Sequence, residues 1–95
     1  MPTAVEERAA MPEKILCVDD EPRVLSGLRQ VLFRSFDITA AAGGVDALAL
    51  LDRGEQFEAV ISDMRMPQMN GATFLAEVRK RRPDITRLLL TGHAD

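Results

Sequence analysis

The sequence predicts an α/β fold, a doubly wound parallel sheet with helices on both faces. Three observations predict it. Segments of strand character alternate with segments of helical period from Lys14 to Leu90 of the 95 residues. Two of the strand segments, 15–18 and 59–62, are short and almost wholly apolar, the pattern of strands buried on both faces of a parallel sheet. Both run directly into acid, at Asp19-Asp20 and at Asp63, and open α/β sheets place their ligand sites at the carboxyl ends of strands.

Each element has its own justification. Residues 1–12 read as a flexible N-terminal lead-in, since Pro2 and Pro12 bracket an Ala/Glu stretch with little to bury. Residues 13–95 form the domain. Residues 14–18 make the first buried strand. Glu21-Pro22 opens a helix, with proline in the first turn where it forfeits no hydrogen bond. Val24, Leu28, Val31 and Leu32 recur at i, i+4, i+7 and i+8 and predict one inward stripe. Residues 36–40 alternate apolar and polar, as a strand nearer an edge does. Gly43-Gly44 turns the chain into a short helix over 45–52 that carries Leu48 and Leu51 and closes at Gly54. After the strand at 59–62 comes a loop around Pro67, then a helix over 71–81 with Phe74, Leu75 and Val78 inward. Pro83 stops it, and residues 85–90 make the last strand, ending at Thr91. Parallel strands joined this way take right-handed crossovers.

Composition narrows the function. The chain is 46% hydrophobic, enough for a core and too much for a disordered segment. A net charge of -3 argues against direct nucleic-acid binding, which calls for a basic face. No apolar run reaches the ~18–20 residues of a membrane span, and residues 1–10 lack a signal-peptide core. The one cysteine, Cys17, forms no internal disulfide and reads as a small buried hydrophobe. A cytoplasmic setting fits these features.

The chemistry lies in the acids. Two carboxylates about 5 Å apart repel by roughly 3 kcal/mol at an effective dielectric of ~20. Three stay together only if something offsets that repulsion, and a hard divalent cation with oxygen ligands, Mg²⁺ above all, is the natural candidate. A helix cap needs one acid, and Asp19-Asp20-Glu21 supplies three. Asp63 precedes a loop shaped by Pro67 and Gly71. Thr91 ends a parallel strand, so its hydroxyl faces the same crevice. Arg65 flanks that crevice, and His93 lies near its mouth. Met64, Met66 and Met69 read as loop packing, and Arg79-Lys80-Arg81-Arg82 as a cluster complementing a helix C-terminus.

Residues 15–22 (ILCVDDEP), 61–71 (ISDMRMPQMNG) and 89–92 (LLTG) together resemble the receiver domain of two-component response regulators, of the chemotaxis-regulator type. The resemblance runs from about Lys14 to the last residue. It implies a flavodoxin-like fold and a phosphoacceptor module that takes its phosphoryl group from a histidine kinase, without being a turnover enzyme. It further implies that Asp63 is the phosphoacceptor and that Mg²⁺ is held by Asp19, Asp20, Asp63 and the backbone carbonyl of Arg65. Thr91 would bind the new phosphoryl oxygens, and Gly92 would leave room for the donor. A full receiver adds a fifth strand flanked by two more helices, and a lysine after that strand. The sequence is therefore expected to be a receiver lacking its last helix–strand–helix, with an output domain in a parent protein. Leu88, Leu89 and Leu90 would then lie on an uncovered edge and favour self-association through the last strand. The competing reading is a switch-deficient receiver serving as an interaction or dimerisation element. A haloacid-dehalogenase-type phosphohydrolase needs an acid two residues after its nucleophile, where this chain has Arg65.

Overall fold

The structure is a computed structural model and describes residues 12–90. In chain order it contains β1 (Glu13–Val18), α1 (Pro22–Leu32), β2 (Phe36–Ala41), α2 (Gly44–Asp52), β3 (Ala59–Asp63), α3 (Gly71–Arg81) and β4 (Thr86–Leu90). All pairings are parallel, in the order β2-β1-β3-β4, so the expected alternation holds and both β2 and β4 lie at edges. Several boundaries differ from expectation by one residue. Ile85, expected to begin the last strand, is buried below it and donates its N–H to the Arg82 carbonyl. Apart from Pro12, the expected lead-in lies outside the described residues, as do Thr91, Gly92 and His93.

The pleat divides the sheet's side chains. Leu16, Val18, Ala41 and Val60 face α2 and α3, packing with Ala47, Leu48, Leu51, Phe74 and Val78 into the main core. Ile15, Cys17 and Ile61 point the other way, toward α1. The Cys17 thiol is fully buried, and burial raises its pKa against a small opposing effect of Arg29.

Helix α1 departs from the expected stripe. Val31 is 78% exposed and Val24 38% exposed. The half-buried arc is Leu25, Leu28 and Leu32, at i, i+3 and i+7. The apolar residues form one arc of this helix, with Val24 and Val31 on its outer edge, and the sheet covers only the side that carries Leu25, Leu28 and Leu32. Beside α1 an apolar groove of about 400 Å³ runs over Ile15, Ala59, Ile61 and Leu88, walled by Leu32 and Phe36.

The basic cluster ties two helices together. Arg82 donates to the carbonyls of Leu51 and Glu55 at 2.9 and 3.1 Å, so it serves the end of α2 rather than of its own helix. Arg81 pairs with Asp52 and Glu77 at 2.8 and 3.0 Å. Among the described residues no helix is long and apolar enough to cross a membrane.

Candidate metal centre

Register brings the acids together. Val18 pairs with Ser62 across β1 and β3, so the next residues, Asp19 and Asp63, emerge side by side at the carboxyl end of the sheet. Asp19, Asp20 and Asp63 each offer a carboxylate oxygen within 4.8 Å of the others. Asp19 is buried, Asp63 half-buried and Asp20 exposed, a gradient from the sheet to solvent.

The acids do not cap a helix. Glu21, the N-cap of α1, makes no side-chain cap bond. Asp19 accepts the Glu21 N–H at 2.8 Å, and this bond fixes its carboxylate orientation. Burial raises the Asp19 pKa; the Glu21 N–H opposes the rise, and the charges of Asp63, Asp20 and Glu21 add to it. A buried carboxylate held beside two others is a group that gains from a cation. The donor set fits Mg²⁺, which takes hard oxygen ligands and retains waters on its open side. That open side is a cleft of about 680 Å³, lined by Asp20, Met64, Arg65, Met66, Pro67 and Asn70.

The loop between β3 and α3 is held from several sides. The Gly71 N–H closes it onto the Met64 carbonyl at 2.8 Å, and the Met64 N–H reaches the Leu90 carbonyl at 3.3 Å. Gly71 is required by contact: a Cβ there would lie 2.2 Å from the Asp63 carbonyl oxygen. Met66 is buried and Met69 packs on the core, as expected of loop methionines.

Sequence reasoning missed three residues here. Ser62, fully buried, donates its hydroxyl to the Asp63 carbonyl at 2.9 Å and steadies the backbone of the central acid. Asn70 caps α3, accepting the Thr73 N–H at 2.8 Å; an Asn one position before a helix is a readable signal. Gln68 has φ 70°, and no glycine or asparagine at that position announced it.

Comparison with known proteins agrees with this geometry. The family model described as response regulator receiver domain matches residues 15–95. The chain is 39% identical over 83 residues to the sensor kinase CckA of Brucella abortus (strain 2308), which covers 85% of this chain and 9% of that protein. It is 40% identical over 81 residues to the hydrogenase transcriptional regulatory protein HoxA of Bradyrhizobium diazoefficiens, covering 85% of this chain and 16% of that one. The chain thus spans less than a fifth of either curated relative. Among solved structures, the signal receiver domain of an HD domain-containing protein from Pseudomonas fluorescens Pf-5 superposes with a TM-score of 0.81 at 36% identity, covering 88% of this chain and 67% of that one. The Vibrio cholerae chemotaxis protein CheY4 gives a TM-score of 0.79 at 29% identity, covering 88% and 72%. Strand order, strand-end acids and sequence matched along residues 15–95 lead to one conclusion: this chain belongs to the response regulator receiver domains, signalling modules of two-component systems.

Proposed function

We propose that Asp63 accepts a phosphoryl group from the phosphohistidine of a histidine kinase. Mg²⁺ would be held by Asp19, Asp20, Asp63 and the backbone carbonyl of Arg65. The observation that carries this reading is the meeting of three carboxylate oxygens within 4.8 Å at the ends of β1 and β3. When bound, Mg²⁺ neutralises oxygens of the transferring group. A carboxylate oxygen of Asp63 bonds to phosphorus as the donor's P–N bond breaks. The electron pair stays on the imidazole nitrogen, which takes up a proton. Ser62 and Gly71 fix the Asp63 backbone during this step, and Thr91 supplies the hydroxyl that binds the new phosphoryl oxygens. The module takes part in its own phosphorylation and is not a turnover enzyme.

The same reading places the chain in the cytoplasm, beside a histidine kinase and joined to an output domain in its parent. It takes the β4 edge, where Leu88, Leu89 and Leu90 are 50%, 37% and 38% exposed, as a self-association surface. Sedimentation at rising concentration tests that part, and a monomer throughout refutes it.

The central test is the amide spectrum with Mg²⁺ and beryllofluoride, a phosphoryl mimic. The expected result is Mg²⁺-dependent shifts and slowed exchange at Asp63, Met64 and Gly71, abolished by Asp63→Asn. A folded spectrum that ignores both additions refutes the reading.

A further inference from the structure

We infer that Met69, seated on Gly44, holds the loop beside Asp63 in its cation-binding shape, which makes Gly44 a remote positioning residue for the carboxylate site. The inference rests on the magnesium reading above.

The loop contains a strained turn. The Met69 N–H donates to the Pro67 carbonyl at 2.6 Å, and the residue between them, Gln68, has φ 70°. A three-residue turn with its central residue at positive φ is the rare, strained kind, and a side chain with a Cβ resists it. Left alone, Gln68 returns to ordinary φ and the loop changes shape.

Met69 supplies the restraint adjoining Gln68, between buried Met66 and the Gly71–Met64 bond that hold the rest of the loop. Pro67, Gln68 and Asn70 are exposed, whereas Met69 is half-buried and packs against the main core. Its seat is the first residue of α2. A Cβ on Gly44 would lie 2.8 Å from the Met69 Sδ and 3.3 Å from Phe74 Cδ1. Phe74 is fully buried and has nowhere to retreat, so Met69 is the side that yields. A methyl at position 44 displaces the thioether from its place. Unseating Met69 frees Gln68, and the relaxation is felt at Met64 and Arg65, which line the cleft with Asp20. Gly44 has no side chain with which to reach the acids, so its influence passes through the loop.

The test compares wild type, Gly44→Ala and Met69→Ala, each substitution alone and combined with Gln68→Gly. Calorimetric titration reads Mg²⁺ affinity, and amide exchange at Gly71, measured without metal, reads loop closure. Each single substitution is expected to weaken Mg²⁺ binding and speed Gly71 exchange about fivefold to tenfold, the scale of one left-handed residue's strain. Adding Gln68→Gly is expected to bring both to within about twofold of wild type, because glycine takes positive φ without penalty. General damage to the fold would not be repaired this way. A folded Gly44→Ala chain with wild-type affinity and exchange overturns the inference. So does a loss that Gln68→Gly leaves unrepaired. If Gly44→Ala does not fold, Met69→Ala with and without Gln68→Gly decides by the same criteria. A wild-type chain that binds no Mg²⁺ refutes the site reading instead, and Gly71 exchange then decides the seat by itself.

Discussion

Asp19→Asn removes one carboxylate from the strand ends, and with it both the cost of burying that charge and its repulsion from its neighbours. The Asp19 carboxylate is 3% exposed and lies within 4.8 Å of oxygens from Asp20 and Asp63. At 4.8 Å and an effective dielectric of ~20, a pair of charges repels by about 3.5 kcal/mol. Water over the exposed Asp20 cuts its share to about 1 kcal/mol or less. Asparagine keeps the oxygen that accepts the Glu21 N–H, so the substitution preserves the local bond. The expected gain in metal-free stability at pH 7 is about 1–3 kcal/mol, or roughly 5–20 °C in Tm. The pH dependence has a definite sign. Asp19 binds its proton more tightly folded than unfolded, its pKa being raised above 3.8 chiefly by burial. Its contribution therefore favours the fold at low pH and is lost as pH rises from about 3.8 through the raised value. Asp19→Asn removes that dependence. Mg²⁺ acts in the opposite direction, stabilising wild type and leaving the variant nearly unchanged. The chain has no Trp and no Tyr, so far-UV circular dichroism melts with and without Mg²⁺ are the appropriate assay. A metal-free variant that melts below wild type, and gains as much from Mg²⁺, refutes the reasoning.

Gly71→Ala sets a Cβ 2.2 Å from the Asp63 carbonyl oxygen and 2.7 Å from Leu89 Cδ1. It is expected to cost about 2–4 kcal/mol through overpacking and a weakened loop hydrogen bond, measured by thermal melts. Gly27→Ala, in the interior of α1 with nothing within 4 Å of the new methyl, is expected to raise the urea midpoint by the equivalent of about 0.5–1 kcal/mol. Arg82→Ala removes the bonds to Leu51 and Glu55 and is expected to lower stability by about 1–3 kcal/mol. Arg79→Ala, at an exposed position, should stay within about 0.5 kcal/mol of wild type in the same melts.

The sheet was legible because its strands are short apolar runs bounded by acids, glycines and prolines, and because parallel alternation leaves few topologies. The acid site was legible for a related reason. Residues that end adjacent parallel strands are neighbours whatever joins them, so Asp19 and Asp63 meet as soon as β1 and β3 pair. The buried edge of α1 was not legible, since Val24, Leu25, Leu28, Val31 and Leu32 make one apolar arc and periodicity does not say which side of it the sheet covers. The fit of Met69 over Gly44 and of Gly71 against Asp63 depends on how elements approach in space, which no local pattern encodes. Arg82 shows the same limit: its place at the end of α3 predicted dipole complementarity there, yet its guanidinium reaches the end of α2.

The bond from the Met64 N–H to the Leu90 carbonyl gives the outermost strand a mechanical hold on the acid-bearing loop. Whatever shifts β4 along its axis pulls on Asp63 through the β3–β4 ladder and on the residue after it through this bond. Traffic in the reverse direction follows the same backbone bonds, so a chemical event at the carboxylates arrives at β4 without crossing the hydrophobic interior.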